Sequence, residues 1–180
     1  MISKNINNSH LFLQHLRSLT FYFISESVEK SERVSIIQQI LDMSPNLAQL
    51  KLHWRDFRHC SQTYSNLKQL HLQLHRLRVE PKQYINVRRL AELAPNLRSL
   101  ETSGANIMYN ENLVPFVLKI IRRFHRLVYL TLNKHSEYRS KEEKKIMFRE
   151  KLLEAGHNHL FNSNNIRISL DLRDDLYIWL

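Results

Sequence analysis

The pattern Leu-x-x-Leu-x-Leu constrains this chain of 180 residues more than any other feature. It is intact at Leu47-Leu50-Leu52, at Leu67-Leu70-Leu72 and at Leu127-Leu130-Leu132. A fourth copy, Leu97-Leu100-Thr102, loses its last apolar position, and a fifth, Leu16-Leu19-Phe21, fills that position with phenylalanine. A sixth strand-like run carries Leu170 and Leu172, with Arg167 at the place of the first leucine. The first positions fall at 16, 47, 67, 97, 127 and 167, so successive copies lie 31, 20, 30, 30 and 40 residues apart. Intervals of this size mark stacked repeats, each built from one strand and its connection. Within each copy the Leu-x-Leu step has a period of two, so both leucines face one side of a strand, and that side needs cover.

The segments between the copies supply it. In "SERVSIIQQILDM", Val34, Ile37, Ile40 and Leu41 share a helical face, and Pro45 ends the run. "PKQYINVRRLAELAP" opens on Pro81, groups Val87, Leu90 and Ala94, and closes at Pro95. "NENLVPFVLKIIRRF" offers Leu113, Val117, Ile120 and Phe124, with Pro115 tolerable near the first turn. A fourth helix has a capping box in Ser140 and Glu143, an inward stripe of Phe148, Leu152 and Ala155, and Gly156 to close it. The 20-residue interval from Leu47 to Leu67 leaves room only for a loop or a short helical turn over "RDFRHCSQTY".

Strand, loop, helix, strand at this interval predicts an α/β fold: an open solenoid with parallel strands on a concave face and helices on a convex one. Residues 1–180 then form a single domain of five or six irregular repeats, with strands centred near residues 19, 51, 71, 100, 131 and 171. The Asn that precedes three of the copies (Asn46, Asn66 and Asn96) is placed to bond backbone groups at the bend. The competing reading is an ordinary α/β domain whose leucines recur by accident.

The stretches "SPNLAQLKL", "YSNLKQLHL", "APNLRSLET" and "FHRLVYLTL" resemble the leucine-rich-repeat family, and especially the irregular, helix-backed repeats found downstream of F-box domains. With the helices included, the resemblance covers residues 12–180, and the closing "LYIWL" resembles the terminal strand of many members. In that family an F-box docks onto a ubiquitin-ligase scaffold while the repeats capture a substrate. No F-box is recognisable here, since the first strand begins near residue 16. The resemblance therefore implies only the recognition half: either the chain is truncated at its N-terminus, or it binds a partner without recruiting a ligase.

If Leu50 and Leu52 point into the core, Gln49, Lys51 and His53 face the concave surface. The same alternation adds Tyr22 from the first strand, Gln69, His71 and Gln73, then Glu101, then Tyr129, Thr131 and Asn133, and finally Asp171 and Arg173. Lys51 and Arg173 balance Glu101 and Asp171, so this face is nearly neutral although the chain carries a net charge of +10. A neutral, hydrogen-bonding surface with tyrosines and histidines suits a protein or peptide partner. The excess charge falls on loops and helices, where Arg88, Arg89, Arg122 and Arg123 could contact phosphates or an acidic partner. Nucleic-acid binding through this basic surface is the alternative function. Aromatics do not interleave with the arginines, so the expectation is weak, uniform nucleic-acid contact at low salt.

Little points to chemistry. Ten histidines invite a metal, yet His157 with His159, and His59 with Cys60, lack further ligands at a useful spacing. Asp171, Asp174 and Asp175 form no arguable acid–base pair, and Cys60 beside His59 lacks an orienting third group. Two glycines in the whole chain leave no phosphate-cradling loop. The chain is expected to be a non-enzyme without a cofactor or metal. One cysteine and the absence of a signal-peptide pattern suggest a reducing compartment, cytoplasmic or nuclear. No window approaches about 18 consecutive apolar residues, so no membrane partner is expected.

Overall fold

The computed structural model describes residues 13–22, 28–74, 85–105, 113–134, 142–157, 167–170 and 175–180. Along the chain run β1 (Ser18–Thr20), α1 (Lys30–Asp42), β2 (Gln49–His53), the short α2 (Trp54–Phe57), β3 (Gln69–Gln73), α3 (Val87–Leu93), β4 (Ser99–Ala105), α4 (Leu113–Arg123), β5 (Tyr129–Lys134), α5 (Glu142–His157), β6 (Arg167–Leu170) and β7 (Leu176–Trp179). The strands form one open seven-stranded sheet in the order β1-β2-β3-β4-β5-β7-β6. Strands β1 to β5 are parallel and sequentially adjacent.

Register explains why the leucines recur. Leu19, Leu50, Leu70, Leu100 and Leu130 stand side by side across the sheet, and the row continues through Ile178 to Ile168. A second row runs Leu52, Leu72, Thr102, Leu132 and Leu176. Leu50, Leu52, Leu70, Leu72, Leu100, Leu130 and Leu132 are buried in a single core with Ile37, Leu41, Leu90, Val117, Ile120, Phe148 and Leu152 from the helices. α1 touches α2, α3 touches α4, and α4 touches α5, and all of these helices cover the leucine face.

The turns repeat as well. Asn46 Nδ2 donates to the Gln14 carbonyl at 2.8 Å, Asn66 Nδ2 to the Pro45 carbonyl, and Asn96 Nδ2 to the Ser65 carbonyl at 3.0 Å. Each asparagine thereby ties its own bend to the preceding one, satisfying carbonyls that no strand partner reaches. The backbone is just as regular: Arg17, Ala48, Lys68 and Arg98 each offer one carbonyl to two successive amides of the next strand.

Three expectations need correction. The last copy does not extend the parallel stack: β7 pairs antiparallel with β5, and β6 pairs antiparallel with β7 on its far side. The crossover through α5 leads to β6, and the short step from β6 to β7 lets β7 run back antiparallel between β6 and β5. The alternating Leu176 and Ile178, both fully buried, cap the leucine rows better than a strand led by the exposed Arg167. In α5, Ala155 is exposed while Gly156 is buried inside the helix, so Phe148, Leu152 and Gly156 form the inward row at i, i+4 spacing. Gly156 therefore does not close the helix, which runs on to His157. In α1 the inward row is Arg33, Ile37 and Leu41, with Val34 and Ile40 half-buried. Pro81 and Ser140 lie outside the described residues; Asn86 caps α3, its Oδ1 accepting from Arg89 N at 3.1 Å.

Candidate functional site

The face of the sheet opposite the helices carries the polar residues between the leucines. One row runs Ser18, Gln49, Gln69, Ser99, Tyr129, Trp179 and Arg167, and the next Thr20, Lys51, His71, Glu101, Thr131, Tyr177 and Ser169. A third aligns His53, Gln73 and Ser103. Gln49, Lys51, His53, Gln69, His71, Gln73, Glu101 and Tyr129 thus share one surface, as strand alternation requires. Tyr22 lies just past β1 and is 67% exposed. Thr131 differs from its neighbours: it is buried on this face at 3% exposure, so it underlies the surface rather than displaying a hydroxyl. Asp171 and Arg173 lie outside the described residues.

At the centre of the face the side chains hold one another. Asn133 Nδ2 donates to Glu101 Oε1 at 3.0 Å, His71 Nδ1 stands 3.4 Å from the same oxygen, and His71 Nε2 is 2.7 Å from Ser103 Oγ. Burial pushes the His71 pKa below its ordinary 6.5, opposed by the Glu101 carboxylate and assisted by Lys51. The neutral ring satisfies both neighbours when its proton sits on Nδ1 toward Glu101 and Nε2 accepts from the Ser103 hydroxyl. A β-bulge shapes this corner: β4 has one residue more than β5 between Thr102 and Ala105. Gly104 supplies it with φ +83°, and a Cβ there would collide with the Leu74 carbonyl, so only glycine fits. A shallow depression of about 150 Å³ lies beside the network, between β1 and β4, lined by Thr20, Lys51, Gln69, His71 and Glu101 among others. It has room for a side chain and is smaller than cofactor sites usually are.

Across the β5–β7 pair the rings of Tyr129, Tyr177 and Trp179 gather, with centroids 5.5 Å apart for Tyr129 and Trp179, 6.0 Å for Tyr177 and Trp179, and 6.5 Å for the two tyrosines. Sequence reasoning named Tyr129 and missed Tyr177 and Trp179. Their alternation with Leu176 and Ile178 already put both on the face away from the core. That they meet Tyr129 follows only from the antiparallel pairing of β7 with β5.

The basic candidates belong to the helix layer, on the other side of the sheet. Arg89 is committed to structure: its guanidinium donates to the Arg58 carbonyl at 3.1 Å and to the Cys60 carbonyl, and it pairs with Glu92 at 3.1 Å. Arg88 pairs with Glu92 at 3.3 Å from a largely exposed position. Arg122 and Arg123 end α4, both exposed. The two arginines on α3 hold the Glu92 carboxyl below its ordinary range, chiefly through the Arg89 hydrogen bond.

Among the described residues the chemistry considered in the sequence finds no assembled site; His159, Asp171 and Asp174 lie outside them. Cys60 is fully buried, and burial pushes its thiol up to about 11, while the His59 ring accepts from Arg58 Nε at 3.1 Å. Among the described residues no cluster of three or more His, Cys, Asp or Glu could hold a metal ion, and no helix is long and apolar enough to cross a membrane. Comparison with protein-family models, curated proteins and solved structures finds no match.

Proposed function

We propose that the chain is an irregular leucine-rich-repeat module that recognises a protein or peptide partner through the polar face of its sheet and performs no chemistry of its own. The observation that carries this reading is a surface left bare by the helix layer, on which a mutually bonded Glu101–His71–Asn133–Ser103 group adjoins three clustered rings. Pre-ordered polar groups lose little entropy on binding, and Tyr and Trp, with Arg, are enriched among the few residues that carry most of the energy of protein interfaces. The asparagine ties between successive bends and the leucine rows support the repeat assignment. By resemblance, the role is the substrate-binding half of an F-box-type ubiquitin-ligase adaptor, working in the cytoplasm or nucleus.

Nucleic-acid binding is the second reading, and the three-ring cluster is what favours it, since rings on a sheet can stack bases. Against it, the basic candidates Arg88, Arg122 and Arg123 lie in the helix layer, on the other side of the sheet from the rings, whose own face carries Lys51 and Arg167 among a majority of neutral side chains. The test compares immobilised wild-type protein with Tyr129→Ala/Trp179→Ala and with Arg122→Glu/Arg123→Glu. Affinity capture followed by mass spectrometry should yield a partner that the ring variant loses and the arginine variant keeps. The reading fails if the arginine variant alone loses it, or if selective RNA binding at about 0.15 M salt depends on the rings.

A further inference from the structure

A second surface lies on the helix layer, independent of the sheet face. A groove of about 850 Å³ runs from the start of α3 across α4 to the last turn of α5, lined by Val87, Arg88, Val114, Pro115, Leu118, Lys119, Arg122, Arg123 and Ala155. The sequence of α4 builds it. Val114, Leu118 and Arg122 form one row at i, i+4 spacing, and Pro115, Lys119 and Arg123 form the adjacent row. An apolar strip therefore lies directly beside a basic one. Leu113, Val117 and Ile120 are fully buried beneath the helix, whereas Val114 at 8% and Leu118 at 7% still reach the groove floor. Ala155, expected to point inward, is exposed and borders the groove from α5.

Charge identifies the occupant. Four cations line the groove; of these, Arg88 is engaged by Glu92 on its own helix. No described residue pairs with Lys119, Arg122 or Arg123. Cations set at the edge of an apolar strip match a ligand that carries both carboxylates and apolar side chains. A nucleic acid would use the cations and leave the floor of Val87, Val114 and Leu118 unfilled. A bilayer surface would meet a recess where it needs a protruding apolar face. With a length of about 16 Å, α4 matches roughly three turns of a partner helix. We propose that this groove docks an acidic amphipathic segment of a partner protein, with its apolar residues on Val87, Val114 and Leu118 and its carboxylates on Lys119, Arg122 and Arg123.

The probe is a fluorescent synthetic peptide of about four helical turns, with leucines at i, i+3, i+4 and i+7 and glutamates between them. Controls are the same composition with the leucines scattered, a thymidine oligonucleotide, and phosphatidylserine vesicles, all at about 0.15 M salt. Anisotropy titration should show the amphipathic peptide binding at least about tenfold tighter than the scattered one. Lys119→Glu/Arg122→Glu/Arg123→Glu should weaken it at least about tenfold, and Ala155→Trp, which fills the groove without changing its charge, should do the same. All four positions are exposed, and circular dichroism with thermal melting checks that both variants fold. Equal binding of the two peptides, tighter binding of the oligonucleotide or the vesicles, or full affinity in either folded variant would overturn the proposal.

Discussion

Thr102 sits where the repeat elsewhere places leucine, between Leu72 and Leu132 in the buried row. It is 1% exposed and its hydroxyl has no hydrogen-bond partner. A buried hydroxyl left unbonded costs about 1–3 kcal/mol. Thr102→Val, nearly the same shape without the hydroxyl, is expected to raise stability by about 1 kcal/mol in urea unfolding; a loss of stability would mean that the hydroxyl is satisfied after all. His71 gives a pH test. Its pKa is lowered in the fold, so the neutral ring is the stabilised form. The stability it contributes is complete above the unfolded value of 6.5 and is lost as pH falls through the lower folded value. An NMR titration should place the His71 midpoint below 6.5, and His71→Gln should reduce the acid-side loss of stability. A midpoint above 6.5 would show that Glu101 dominates over burial.

Between elements, the joint of α1 with α2 rests on charge inside the core. Arg33 Nε and Nη2 donate to Asp56 Oδ1 at 3.2 and 3.1 Å, and Arg33 also reaches the Val28 carbonyl. Asp56 is fully buried and Arg33 is 6% exposed. Arg55 Nε stands 3.7 Å from the other carboxylate oxygen. The pair substitutes for packing in the shortest repeat, where four residues of α2 are all the helix available. Asp56→Ala strands a buried guanidinium and should cost about 3–5 kcal/mol, whereas Arg33→Met/Asp56→Leu should recover most of that. Urea unfolding of the two variants decides; a double variant no more stable than the single one would mean that the ion pair itself, and not its disruption, sets the energy.

Across the whole molecule, stability depends on neighbours. Each strand of the parallel stack buries its leucines between adjacent copies, so the middle is held from both sides. Leu70 at 2% and Leu130 at 0% exposure sit in central strands, and alanine at either should cost about 2–5 kcal/mol if the site cannot collapse. The β1 end is softer: Ser18 and Thr20 are exposed, and Leu19 is only partly buried. Leu19→Ala should therefore cost less than Leu130→Ala, by equilibrium unfolding. Equal costs would argue against a nearest-neighbour stack.

Period-two leucines at recurring intervals indicated, without coordinates, five or six parallel strands side by side, of which the first five are so arranged, and which of their side chains would face the core. That follows because alternation is a local property of a strand, and because one apolar edge can be covered only by the next copy. The same alternation marked Gln49, His71, Glu101 and Tyr129 as neighbours on the opposite face. Packing alone decided the rest. Whether β6 or β7 would cap β5 depended on comparing two apolar edges in space. The meeting of Tyr177 and Trp179 with Tyr129 followed from that choice. Ala155 gave its inward place to Gly156 because, at 3.6 residues per turn, the positions seven and eight residues after Phe148 fall on either side of the Phe148–Leu152 line, and the pattern does not choose between them. In the sequence Arg89 reads as surface charge and nothing distinguishes Arg33; only the fold supplied the carbonyls and the carboxylate that draw them in.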